Sequence, residues 1–265
     1  MTDFTDIKID RTGNVATIVI QRPPHNFFDM SLIKQIATAL EQFDGEIDVR
    51  AVVLASEGKS FCAGANFGDG SRLDAKGNRP DEATANNSGH LYQEAVRIFR
   101  AKKPIIAAVQ GPAIGGGLGL AGACDFRIAA PEARISADLT RRGFHPGFGL
   151  TYTLPRLIGA QQAATMFYTS RRLTGEEALA IGLADEVVPL ADVRKRAQEF
   201  AAEIAENAPL AVQATRATLR AGLAEQVKAQ TDHELSLQQS LRAADDFKEG
   251  VKAYAERRKP NFTGR

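Results

Sequence analysis

The sequence predicts an α/β protein whose C-terminal part is all helical, and three observations carry that reading. Short, apolar, largely non-alternating runs recur as VATIVI at 15–20, VRAVVLA at 49–55, PIIAAV at 104–109 and FRIAA at 126–130. Runs of this kind are buried strands, covered on both faces. Segments of helical period alternate with them through roughly the first 190 residues, the arrangement of an α/β body. Beyond Pro189 only the helical period remains.

In chain order, VATIVI is closed by RPPHN, which cannot continue a strand. From Ser31, apolar residues fall at Leu32, Ile33, Ile36, Leu40 and Phe43, one helical stripe. Leu91, Ala95, Ile98 and Phe99 mark a second helix. Between them, 68–89 is polar, rich in turn formers and without period. A loop of that length is expected to be a functional lid or disordered. Val193, Ala197, Phe200 and Ile204 form a further helix; Leu237, Leu241, Ala244, Val251 and Tyr254 predict one long final helix. The expected division is an α/β core at 1–190 and a helical region at 191–265. No internal repeat of fixed period is present.

Of 265 residues, 44% are hydrophobic and 25% charged, and the formal net charge is +1. Such a chain has no general field to attract nucleic acid or an anionic membrane. The longest apolar run, 113–124, is too short and glycine-rich to span a bilayer. The polar start, MTDFTDIKID, is unlike a signal peptide. Two cysteines, Cys62 and Cys124, form neither a disulfide framework nor a metal spacing. The expectation is a cytoplasmic protein with reduced thiols.

Two glycine-bearing elements follow buried strands. One is SFCAGAN at 60–66; the other is AIGGGLGLAGACD at 113–125, with four glycines at 115, 116, 117 and 119. Glycine costs backbone entropy, so such a run needs a local reason. Close helix packing is one. The other is chemical: both segments can present bare backbone N–H groups, and a helix starting after Gly116 adds its positive end. Two N–H donors converging on one oxygen make an oxyanion hole. The spacing does not fit a dinucleotide fingerprint.

FCAGAN at 61–66, PIIAAVQGPAIGGGLGLAGACDFRIA at 104–129, LTGEEALAIGLADEVVP at 173–189 and KEGVKAYAERRKPNFTGR at 248–265 together closely resemble the enoyl-CoA hydratase/isomerase (crotonase) superfamily. The resemblance runs essentially end to end. It implies a crotonase-like spiral of ββα units with a helical C-terminal trimerisation region. It also implies a homotrimer or a hexamer built as a dimer of trimers. The implied ligand is an acyl-CoA or enoyl-CoA thioester, with coenzyme A as part of the substrate and no tightly bound cofactor. Its carbonyl would sit between the N–H groups of Ala65 and Gly116, where both donors would stabilise an enolate. The CoA side of the site would draw on Arg22, His25 and Asn26, on Ala63, Asn66 and Phe67, and on Phe247, Lys248 and 257–259.

The family's hydratases resemble one another in two catalytic glutamates. The matching positions here are Gly119 and Leu139, and neither transfers a proton. The expected chemistry is therefore enolate formation with a different proton carrier, leading to isomerisation or C–C cleavage rather than efficient hydration. Alternatives are a non-catalytic acyl-CoA binder and an RNA-binding relative. Two replacements for the carrier stand out. Histidine is a common general acid or base, which makes His145 a candidate, though a histidine between Phe144 and Pro146 also fits a structural place. Asp138 is one residue from the second glutamate position and would face the opposite side of an extended 134–137 segment. Asp69 and Asp74 lie in the polar loop. Cys62 has no visible base to activate it, and Asp125 fits a structural position. Tyr92 and Phe99 fit either an acyl pocket or the core.

Overall fold

Residues 4–66 and 87–265 are described here in a computed structural model. Phe67, Asp69, Asp74 and the rest of the expected lid up to residue 86 lie outside them.

The chain opens with a hairpin, β1 (Ile7–Thr12) pairing antiparallel with β2 (Val15–Ile20). Then come α1 (Met30–Asp44), β3 (Ala51–Ser56) and α2 (Asn87–Phe99). The Asp29 side chain caps α1 by accepting from the Leu32 N–H at 3.0 Å. The middle of the chain forms β4 (Ile105–Val109), β5 (Ala113–Ile114), α3 (Gly116–Ala123), β6 (Phe126–Ala129) and β7 (Ile135–Ser136). A 3-10 turn at Thr140–Arg142 leads into α4 (Leu150–Thr169), β8 (Arg172–Leu173), α5 (Gly175–Ala180) and β9 (Glu186–Val187). The helices α6 (Val193–Ala205), α7 (Pro209–Leu219), α8 (Leu223–Arg242) and α9 (Asp245–Ala255) complete the chain.

The main sheet has the order β1-β2-β3-β4-β6-β9, and every pairing after the hairpin is parallel. Every residue of β2, β3 and β4 is buried, which is why these strands are continuous apolar runs. One face packs on α1, α2 and the small-residue helix α3 in the larger core, which includes Ile18, Leu54, Leu32, Ile98 and Leu118. The other face, with Val15, Val53, Ile106 and Ile128, is covered by Val193, Ala197 and Ala201 of α6. Thus α6, beyond residue 190, roofs the α/β sheet.

A second, small sheet has the order β5-β7-β8 and stands at the exit of the main one. The single final helix expected from the apolar spacing is instead two. Ala244 is extended (φ −68°, ψ 147°), and the chain turns there between α8 and α9. The turn lets α9 pack on the 3-10 segment while α8 crosses α2 and α4. Among the described residues no helix is long and apolar enough to cross a membrane.

Candidate active site

Three backbone segments lie side by side beyond the main sheet. Cys62 donates its N–H to Pro112 O and accepts from Ile114 N–H, both at 3.0 Å. Ala113 donates to Arg134 O at 2.9 Å and Gly115 to Ser136 O at 2.8 Å. This approach explains the glycines. Gly64 has φ +79°, and a Cβ there would lie 2.5 Å from Ile114 O; one on Gly117 would lie 1.9 Å from Cys62 O. Close packing of the two segments is thus reason enough for Gly64 and Gly117. Ala65 and Gly116 line the resulting cavity. Among the described residues, no acceptor takes their N–H groups. Gly116 also opens α3, so the positive end of that helix points to the same place.

The cavity is small, about 90 Å³. Phe28, Leu91, Leu139, Phe144 and Phe148 supply its apolar wall. The two positions matched to catalytic glutamates are both apolar in space. Leu139 packs 3.8 Å from where a Gly115 Cβ would be. A Cβ on Gly119 would stand 2.7 Å from the Phe148 ring, so Phe148 fills the room that a longer side chain would need. Phe148 is fully buried, has φ +64° and tilts against Phe28 at 5.7 Å.

Asp138 is the only carboxylate lining this cavity among the described residues. It is 3% exposed and lies 3.4 Å from Arg142 Nη2 and 3.7 Å from Arg172 Nη2. The expected opposite facing of Asp138 and Leu139 does not occur. The strand stops at Ser136 and Leu139 is already helical (φ −70°, ψ −36°), so the alternation of a strand no longer applies and both residues line the cavity. His145 is a correction of another kind. Its neighbours Phe144 and Gly147 line the cavity, but His145 does not. Its Nδ1 lies 2.7 Å from Pro146 O.

Burial pushes the Cys62 thiol up to about 12, so it stays protonated and is no nucleophile. Cys124 is raised to about 12 for the same reason. Asp125 accepts the Ile105 N–H at 2.8 Å and pairs with Arg216 and Arg220 at 2.9 and 3.0 Å, tying α7 to the sheet. Phe99 is core, whereas Tyr92 reaches the cavity.

From the cavity a groove leads outward. Ala63, Ala65, Ile114 and Arg142 are shared with an outer cleft that also holds His25, Phe27, Asn66 and Arg134. That cleft shares Arg172 and Tyr254 with a third, basic one lined by Arg141, Arg257, Arg258 and Lys259. Of the residues expected on the CoA side, His25, Ala63, Asn66, Arg257, Arg258 and Lys259 lie on this groove. Four others do not. Arg22 is taken by Asp6 and Asp29 at 2.6 and 2.8 Å. Asn26 is buried and spends its amide hydrogens on Glu57 O and Ser60 O at 2.6 and 2.7 Å, bracing the loop. Phe247 is buried against Phe144, ring centres 5.0 Å apart. Lys248 is exposed and pairs with Asp245 at 3.0 Å.

One wall was not anticipated from sequence. Along α8 the buried residues Ala224, Val227, Thr231, Glu234 and Gln238 recur at three- and four-residue steps, and the last three are polar. Gln238 and Arg242, one turn apart, line the cavity. Gln238 accepts from Tyr92 Oη at 2.7 Å and donates to His145 O at 3.0 Å. Burial, with the nearby Glu234 charge, pushes the Tyr92 phenol above its ordinary 10, so it remains a neutral donor. The signal in the sequence is polar residues where the helix period calls for apolar ones.

The sequence profile of the enoyl-CoA hydratase/isomerase family matches residues 10–265. A probable enoyl-CoA hydratase of Rhodobacter capsulatus is 35% identical over 263 residues, 99% of each chain. A short-chain-enoyl-CoA hydratase of Clostridium acetobutylicum is 30% identical over 259 residues, 97% of each chain. The crystal structure of an enoyl-CoA hydratase/isomerase from Pseudoalteromonas atlantica superposes with a TM-score of 0.84 at 28% identity, over 98% of this chain and 100% of that one. The fold is the crotonase fold, and the chain belongs to the enoyl-CoA hydratase/isomerase family.

Proposed function

We propose that the protein binds an acyl-CoA thioester and moves a proton at its α-carbon through an enolate, with Asp138 as proton carrier. The observation that carries this reading is the Ala65 and Gly116 N–H pair facing a cavity whose groove ends among arginines and a lysine. The basic cleft suits the phosphates of coenzyme A, and the narrow outer cleft suits its pantetheine arm. Removing an α-proton puts charge on the thioester oxygen, and two fixed donors lower the cost of that charge. Loss of one such donor typically costs about two to three orders of magnitude.

Hydration needs a base for the water and an acid for the α-carbon. A lone carboxylate suits a proton shuttle better. Asp138 takes the α-proton of a 3-enoyl thioester, the electron pair moves onto the carbonyl oxygen, and the dienolate is reprotonated at the γ-carbon from the Asp138 carboxyl. The product is the 2-enoyl thioester and the carboxylate is regenerated. A second reading, binding without turnover, is favoured by Leu139 at one glutamate position and by Phe148 filling the space over Gly119 at the other. A homotrimer or hexamer in the cytoplasm belongs to the same proposal. Sedimentation equilibrium would read three or six times the 28.5 kDa chain mass.

The test is mass spectrometry of 3-enoyl- and 2-enoyl-CoA incubated with the protein in heavy water. Deuterium uptake and double-bond migration, both lost on the order of a hundredfold or more in Asp138→Asn, support the reading. Water addition at enzyme-like rates overturns it. Unchanged thioesters with retained CoA binding favour the second reading.

A further inference from the structure

We propose that Arg172 couples the two ends of the groove: a phosphate bound at the basic cleft draws its guanidinium off Asp138 and frees that carboxylate for the α-carbon. The inference rests on the acyl-CoA reading above, and it makes Arg172 a positioning residue.

Antiparallel pairing of β7 with β8 sets Arg172 opposite Ser136, two residues before Asp138. From there Arg172 Nη2 meets Asp138 Oδ2 at 3.7 Å, beyond hydrogen-bond distance. The other cation on the same oxygen is held more firmly. Arg142 Nη2 is nearer, at 3.4 Å, and its side chain is buried and stacked over the Tyr254 ring at 4.0 Å. Arg172 is half exposed, and among the described residues Asp138 is the one group that its guanidinium pairs with. Asp138 lines the inner cavity, whereas Arg172 lines both the outer cleft and the basic one, at their junction. A loose ion pair with one partner in water contributes little. A guanidinium makes strong, two-pronged hydrogen bonds to phosphate. A phosphate at that junction is therefore the better partner. Asp138 is then left with Arg142, and a carboxylate with one cation fewer beside it takes a proton from carbon more readily. The nucleotide end of the substrate thus readies the carrier at its acyl end.

The first experiment measures binding of 3′-phospho-ADP, the nucleotide end of coenzyme A, by calorimetry. Wild type, Asp138→Asn, Arg172→Gln and the double variant are compared. Coupling is reciprocal, so neutralising Asp138 must tighten nucleotide binding while Arg172 is present. The expected gain is about two- to tenfold, the range of an ion pair with an exposed partner. It should vanish in the Arg172→Gln background and return in part with Arg172→Lys. Equal or weaker binding to Asp138→Asn overturns the proposal, as does the same gain in both backgrounds, which would mean plain repulsion by Asp138. Nucleotide bound by none of the four proteins overturns the acyl-CoA reading and this proposal with it; binding without coupling overturns this proposal alone. The second experiment follows α-proton exchange of an N-acetylcysteamine thioester, which has no nucleotide, in heavy water. Saturating 3′-phospho-ADP is expected to raise the wild-type rate about two- to tenfold and to leave no such increase in Arg172→Gln. Because each ratio is taken on one protein, a general loss of stability does not mimic it. An increase that survives Arg172→Gln counts against the coupling. If no thioester exchanges, the proton-transfer reading fails, and the binding cycle still decides the coupling.

Discussion

The proposed oxyanion pair depends on a close fit around Gly116. A Cβ there would lie 2.3 Å from the Phe28 ring, so Gly116→Ala must shift either the ring or the helix start that carries the N–H. Displacing one donor by an ångström is expected to lower α-proton exchange on the order of a hundredfold. Gly116→Ala combined with Phe28→Ala should recover part of it. An unchanged rate in the single variant would remove this N–H from the site. The same reasoning applies at Gly119. Adding a glutamate there and at Leu139 looks from sequence like a restoration of hydratase groups, but the Gly119 Cβ meets Phe148. Gly119→Glu with Leu139→Glu is therefore expected to destabilise the fold by about 1–3 kcal/mol and add no hydration. Hydration activity should emerge only when Phe148→Ala is added. Thermal melts and product analysis of both variants check this.

The elements are held in place around the site by buried polar anchors. Glu234 of α8 accepts from the N–H groups of Gly149 and Thr151 at 2.8 and 3.0 Å and from Thr151 Oγ1 at 2.6 Å, capping α4 from another helix. Burial raises its carboxyl above the ordinary 4.5, although these hydrogen bonds oppose the shift. A raised value means that the folded state holds its proton more tightly than the unfolded state does. The resulting stabilisation is complete below about 4.5 and is lost as pH climbs through the raised value. The melting temperature of wild type relative to Glu234→Gln should therefore fall as pH rises from about 4.5 toward neutrality. A pH-independent difference would contradict this.

At the scale of the whole molecule, the groove joins residues far apart in the chain: 63–66, 114–116, 138–142, 172 and 254–259. Its basic end governs the expected response to salt. Binding of free coenzyme A should weaken as ionic strength rises. Arg257→Ala with Lys259→Ala should flatten that dependence while leaving α-proton exchange at saturation nearly unchanged. Calorimetry at two salt concentrations reads the first effect, and heavy-water exchange the second. A salt slope untouched by the double substitution would take the nucleotide away from this cleft.

Much of the architecture was legible because it follows from local rules. Buried parallel strands must be apolar throughout, which made β2, β3, β4 and β6 plain, and the small residues at 63–65 and 115–117 marked where two backbone segments approach closely. The sequence by itself determined the α/β core and the family, and it pointed to the two backbone segments that carry the proposed donors. Only the tertiary structure decided which side chains meet there. Asp138 and Leu139 share the cavity because the strand ends early, and Asn26 and Phe247 turn inward to brace loops. Phe148 fills the space above Gly119, and a polar stripe of α8 arrives from about a hundred residues away along the chain. Strand and helix periods are short-range properties of the backbone. The contents of a cavity depend on where distant segments cross, and no local pattern encodes that.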